Sequence, residues 1–131
     1  MYEVILEEEF SSAHRLRHYR GRCEHLHGHN WTVTVVLTGE KLDGSGLLLD
    51  FRILRQKVKR VLETLDHAYL NRIPFFRKAN PSSENLALYI FRRLKKELRQ
   101  VPVNLKKVTV WENDRQAAGY YEEGNGLRAK G

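Results

Sequence analysis

Two stretches of strict alternation limit what this chain can become. Residues 28–38 place Trp31, Val33, Val35 and Leu37 on one parity and Thr32, Thr34, Val36 and Thr38 on the other. Residues 2–12 alternate in the same way, Tyr2, Val4 and Leu6 against Glu3, Ile5 and Glu7. A period of two with β-branched and aromatic residues predicts two strands, each with one mostly buried face. The polar loop between them, residues 15–26, is long enough to carry function.

After the turn-rich residues 39–46 the period changes. Phe51, Leu54, Val58, Val61, Leu62 and Leu65 recur at helical spacing behind Asp50, a good N-cap. A second helix is predicted after Asn80-Pro81-Ser82, with Ala87, Ile90, Phe91, Leu94 and Leu98 as its buried stripe and Pro102 beyond its end. Residues 103–111 read as a third strand and 118–122 as a short fourth one. The order is ββααββ, an α+β chain with a four-stranded antiparallel sheet and both helices on one face. Large apolar residues left on the other face predict contact with further subunits. One domain is expected over residues 1–123, followed by a Gly-rich mobile tail over 124–131.

Five of the six histidines fall between residues 14 and 29, and this is the main chemical signal. His27 and His29 lie at i and i+2 of a strand, hence on one face and roughly 7 Å apart along the chain. His14 ends the first strand on the parity of Phe10 and Ser12. Antiparallel pairing would bring all three imidazoles to one ion, and Gly28 leaves the backbone between two of them uncrowded. Three imidazoles without a fourth protein ligand describe an open, catalytic zinc site rather than a closed structural one. The alternative is a set of unrelated surface histidines. His18 and His25 lack matching geometry; His18 is expected in solvent, and His25 could face a substrate.

Other residues are ambiguous alone. Cys23 lies four residues before His27; a thiol of pKa ~8.5 beside cations becomes a usable base, yet a lone cysteine can also be a small buried hydrophobe. Asp66-His67 closes the first predicted helix, where a histidine ordinarily complements the dipole. Glu112 sits where the third strand ends, a position usually solvated.

Together these pieces resemble the 6-pyruvoyltetrahydropterin synthase family. The motifs are Phe10-Ser11-Ser12-Ala13-His14, Cys23-Glu24-His25-Leu26-His27-Gly28-His29, Leu65-Asp66-His67-Ala68-Tyr69-Leu70-Asn71, Asn80-Pro81-Ser82-Ser83-Glu84-Asn85 and Trp111-Glu112, in that order. The resemblance implies the tunnelling fold (T-fold), subunits whose sheets join into a trimeric barrel, two trimers stacked into a hexamer, and active sites between subunits. It implies Zn2+ on His14, His27 and His29, Cys23 as the proton-abstracting thiol, and Asp66 with His67 activating it from a neighbouring subunit. Glu112 would anchor the pterin's guanidine-like edge. Ser82, Ser83 and Glu84 would help recognise the ring, although they also suit a helix cap.

The three-residue spacing between Cys23 and His27 resembles the bacterial 6-carboxytetrahydropterin synthases of queuosine biosynthesis. That branch acts on 7,8-dihydroneopterin triphosphate and releases 6-carboxy-5,6,7,8-tetrahydropterin, acetaldehyde and triphosphate. The alternatives are a 6-pyruvoyltetrahydropterin synthase or other side-chain-cleaving relative, or a non-catalytic zinc-stabilised module binding RNA or protein. Trp111 departs from the smaller or charged residues familiar at that position.

Charge and composition agree with an anionic small molecule. There are 23 Lys and Arg against 16 Asp and Glu, a formal +7. Most of this surplus is predicted on solvated helix faces, and Arg15, Arg17, Arg20 and Arg22 are candidates to meet a triphosphate. Interleaved aromatics of a nucleic-acid binder are missing, so no nucleic-acid partner is expected. No apolar run approaches the ~18 residues of a bilayer span, so no membrane partner is expected either. The single cysteine and the acidic N-terminus predict a reducing, cytoplasmic setting.

Overall fold

The computed structural model describes residues 1–21 and 24–123. The first two strands, β1 (Tyr2–His14) and β2 (His27–Gly39), pair antiparallel along their whole length, from Tyr2 opposite Gly39 to His14 opposite His27. Helix α1 (Phe51–Leu62) follows, then a two-residue strand β3 (Ala68–Tyr69), a one-turn helix α2 (Phe75–Lys78) and α3 (Ser83–Glu97). Strands β4 (Asn104–Asn113) and β5 (Gln116–Tyr120) complete the sheet, in the order β3-β1-β2-β4-β5.

Register follows from the buried pattern. Trp31, Val33, Val35 and Leu37 of β2 are fully buried, beside Leu6 and Phe10 of β1 and Val108 and Val110 of β4. Over them lie Leu54, Val58, Val61 and Leu62 of α1 and Leu86, Ala87, Ile90, Phe91 and Leu94 of α3. A one-residue slip of β2 would expose its four core side chains, at a cost of roughly 6–12 kcal/mol if each is worth ~1.5–3. A bulge in β4 preserves the pattern: Val36 faces Lys107 and Leu37 faces Leu105, so Lys106 is the extra residue and turns out to pair with Glu3 at 3.2 Å.

Both predicted helix starts are seen. The Asp50 side chain accepts from the Arg52 N–H at 2.8 Å, and the Ser82 hydroxyl accepts from the Asn85 N–H at 3.1 Å.

Four details differ from expectation. The sheet has a fifth strand, because β3 lies parallel to β1 at Ser12 and Ala13. Phe51 is about half exposed rather than part of the α1 stripe, since it occupies the first turn, ahead of the helix's contact with the sheet. Asp66-His67 does not end α1; it lies in the turn beyond it, with His67 in the left-handed region at φ 53°. The uncovered sheet face is more polar than predicted, carrying Ile5, Val36 and Trp111 among Glu3, Glu7, Glu9 and threonines. The predicted mobile tail, 124–131, lies outside the described residues. Among those described, no helix is long and apolar enough to cross a membrane.

Candidate metal centre

The paired ends of β1 and β2 carry the histidines to the helix-covered face. His14 is opposite His27, and Ser12 is opposite His29, so the three imidazoles occupy adjacent positions at one end of the core. Their rings meet edge to face with centroids 4.6 to 5.2 Å apart. Trp31 closes the floor, edge-on to His14 at 4.9 Å and to His29 at 5.1 Å.

Hydrogen bonds decide which nitrogens face inward. The His14 Nδ1–H donates to the Pro81 carbonyl at 2.7 Å, and the His27 Nδ1–H donates to the His25 carbonyl at 2.8 Å. A carbonyl can only accept, so each Nδ1 carries its proton and each Nε2 of the neutral ring presents a lone pair. Those two Nε2 atoms are 3.0 Å apart. His29 Nε2 is buried without a hydrogen-bond partner among the described residues. Converging lone pairs repel unless a cation lies between them. One ligand atom from each histidine lies within 4.8 Å of the others, against the ~3.3 Å separation that tetrahedral zinc with Zn–N ~2.0–2.1 Å would impose. The triad fits a metal ion, and the two carbonyls are the outer partners that hold such ligands in one tautomer.

Electrostatics favour the neutral form at two of the ligands, His14 and His29. Burial pushes the His14 pKa below the ordinary imidazole value; the Pro81 carbonyl opposes this, the two neighbouring histidines reinforce it, and Glu112 opposes it. Burial also lowers His29, with Glu112 opposing, His27 reinforcing and Glu24 opposing. Neutral imidazoles are what a metal requires.

Glu112 thus acts on the triad from the third of the long strands. It is half-buried and follows Val108 and Val110 at alternate positions, next to the register shift at the end of β4. Ser82 touches the site's margin: its neighbour Pro81 is the His14 acceptor, while its own hydroxyl caps α3. Ser83 is half-buried and Glu84 exposed in the first turn of that helix.

Asp66 and His67 form a separate cluster at the β1 edge. Asp66 Oδ1 accepts the Ser11 N–H at 2.8 Å, and its Oδ2 lies 3.0 Å from His67 Nδ1. Adjacency alone would not orient this imidazole; the left-handed backbone of His67, anchored by its N–H to the Ser11 carbonyl at 2.6 Å, does. The Ser11 N–H and then His67 hold the Asp66 carboxyl below the usual carboxylate range. The His67 side chain is 83% exposed. None of the pair's contacts among the described residues reaches the triad.

Cys23 and Arg22 lie outside the described residues. His18 is exposed at φ 58°, and the His25 side chain is exposed, its carbonyl being the part that serves the site. Arg17, a candidate for triphosphate, spends its guanidinium on the Phe76 and Ala79 carbonyls. Trp111 turns to the uncovered face, its indole N–H donating to Thr34 Oγ1 at 3.1 Å.

Two contributors escape sequence reasoning. Glu24 accepts the Leu16 N–H at 3.1 Å and stands 3.9 Å from His27 Nδ1. Its place between Cys23 and the His27-Gly28-His29 motif was the available signal. The Pro81 carbonyl has no signal, because any residue provides one.

The family model described as 6-pyruvoyl tetrahydropterin synthase matches residues 3–123. A dihydroneopterin monophosphate aldolase of Pyrococcus furiosus is 36% identical over 111 residues, covering 85% of this chain and 90% of its own. A 6-carboxy-5,6,7,8-tetrahydropterin synthase of Synechocystis is 33% identical over 126 residues, covering 92% and 94%. The solved Caenorhabditis elegans 6-pyruvoyl tetrahydropterin synthase superposes with a TM-score of 0.79 at 30% identity, covering 94% of this chain and 98% of that one.

Proposed function

The chain belongs to the 6-pyruvoyl tetrahydropterin synthase family, and on that premise we propose that it is a zinc-dependent 6-carboxytetrahydropterin synthase. The substrates are 7,8-dihydroneopterin triphosphate and one water, and the products are 6-carboxy-5,6,7,8-tetrahydropterin, acetaldehyde and triphosphate, a step of queuosine and deazapurine biosynthesis. The observation that carries this is the triad: three imidazoles converge, one of them with a buried, unpartnered Nε2. The short spacing from Cys23 to His27 and the name of the Synechocystis relative favour the carboxy product.

His14, His27 and His29 would hold the zinc, which when bound supplies Lewis acidity toward the hydroxyls of the pterin side chain. Glu112 accepts two hydrogen bonds from the guanidine-like edge of the pterin and thereby aims the side chain. Ser82, Ser83 and Glu84 border the ring. Cys23, as thiolate, takes a proton from the side chain, and His67, held by Asp66, accepts or returns it. These last two act from a neighbouring copy, since none of their contacts among the described residues reaches the triad of their own chain. The enzyme is a cytoplasmic hexamer built as a dimer of trimers, with one T-fold domain over residues 1–123 in each subunit.

The test is incubation of the zinc-loaded protein with 7,8-dihydroneopterin triphosphate and mass spectrometry of the products. Release of acetaldehyde with the 6-carboxy pterin supports the proposal. A 6-pyruvoyl product, or a shortened pterin from side-chain cleavage, would overturn it. The aldolase named among the relatives makes cleavage the second reading. Full activity in Cys23→Ala would remove the thiol from the mechanism.

A further inference from the structure

We infer that Arg17 and Asn80 are positioning residues for the metal centre, locking the carbonyl that selects the tautomer of His14. The inference rests on the triad holding a metal and is independent of which pterin is made.

The Pro81 carbonyl accepts the His14 Nδ1–H at 2.7 Å, and its place depends on the segment before it. Asn80 brackets the backbone of Arg17: its Oδ1 accepts the Arg17 N–H at 2.8 Å and its Nδ2 donates to the Arg17 carbonyl at 2.8 Å. This reproduces the paired hydrogen bonds of an antiparallel strand with a side chain in place of one strand. Arg17 returns the grip. Its guanidinium Nη2 donates to the Phe76 carbonyl and, at 3.2 Å, to the Ala79 carbonyl, satisfying acceptors at the end of α2. On the far side, Asn85 Nδ2 donates to the Asn80 carbonyl at 2.9 Å, fastening the same segment to α3.

The contacts form a closed circuit. It runs from His14 through residues 15–17, across to Asn80, on to Pro81, and back to His14 through Nδ1. A ring this small transmits displacement: if Asn80 or the Arg17 fork is lost, the Pro81 carbonyl drifts and His14 loses the acceptor that orients its Nε2. Asn71 offers an internal comparison. It brackets the Arg15 backbone in the same manner, at 3.0 and 2.9 Å, but is not adjacent in sequence to the acceptor of His14.

The experiment measures zinc affinity by chelator competition in wild type, Arg17→Lys, Asn80→Ala and Asn71→Ala. Cobalt(II) absorption serves as a second readout of ligand geometry, and far-UV circular dichroism checks folding. Arg17→Lys keeps the charge, but its shorter side chain ends before the place where Nη2 bridges the two carbonyls. We expect roughly tenfold weaker zinc in Arg17→Lys and Asn80→Ala, the low end of the effect of losing an outer partner. Both should show altered cobalt spectra and keep an unchanged KM at saturating zinc. Asn71→Ala should lose stability comparably while its zinc affinity stays within about twofold of wild type. If Asn80→Ala does not fold, Arg17→Lys decides. Wild-type zinc affinity in Arg17→Lys with a raised KM would make Arg17 a phosphate contact and overturn the proposal. Equal losses of affinity in Asn71→Ala and Asn80→Ala would overturn it as well, since general loosening would then suffice. Absence of zinc uptake by wild type would instead overturn the reading of the triad itself.

Discussion

Two histidine sites on this chain are built in opposite ways. At the triad, His14 is 1% exposed and each of His14 and His27 has its Nδ1 bound to a carbonyl. At the sheet edge, His67 is oriented by Asp66 yet 83% exposed, with a left-handed backbone presenting it outward. Burial makes His14 and His29 poorer proton acceptors, and the carbonyl-bound Nδ1 atoms of His14 and His27 leave their Nε2 atoms free as metal ligands. Exposure with a carboxylate partner makes the second suitable for moving a proton, provided that something reaches it. Under the proposed function, one chain would complete the metal half of the chemistry and offer its Asp66–His67 pair to another copy.

The largest expected effect tests whether the halves are separable. His29→Ala should weaken zinc binding on the order of 10³-fold, read by chelator competition, because about a third of a binding free energy of ~10–16 kcal/mol is lost. Asp66→Asn should instead retain zinc within about twofold and lower kcat by roughly 10²–10⁴, the usual worth of an acid–base group. Mixing His29→Ala with His67→Ala subunits under conditions that exchange them should recover turnover. No recovery would mean that each chain uses its own pair, and the comparison would break.

A smaller effect is a pH profile. Because the His14 and His29 pKa values are lowered, the unfolded apoprotein binds protons that the folded one refuses. Stability is then full above the ordinary imidazole pKa of about 6.5 and declines as pH falls from there toward the lowered folded values. Thermal melts of the metal-free protein at stepped pH should show this, and His29→Ala should flatten the slope. The smallest effect lies away from both sites. Trp111→Phe removes the bond to Thr34 and should cost about 0.5–1.5 kcal/mol in urea denaturation without altering zinc affinity.

The metal site was the more legible of the two in sequence, for a geometric reason. Strand parity is local: His27 and His29 must share a face, and His14 shares one with Phe10 and Ser12 wherever the alternation holds. The edge pair was named only through the family resemblance, because its own spacing gives no reason to expect a site. Its orientation comes from a positive φ at a non-glycine residue and from ladder contacts to Ser11, fifty-five residues away. Likewise β3 consists of two residues, too short for any period, and exists because Ser12 and Ala13 leave an edge open. Phe51 shows the limit of helical spacing, which says which residues share a stripe but not where the helix leaves the core.

What the sequence alone determined is therefore the chemistry of each position and the face it occupies: alternating strands, capped amphipathic helices, and three imidazoles of matching parity. Only the tertiary structure decided the protonation and aim of those imidazoles. That outcome depends on burial and on the Pro81 and His25 carbonyls, and a backbone carbonyl is the same group in every residue. Its direction is a property of the folded chain, so no pattern of side chains could announce it.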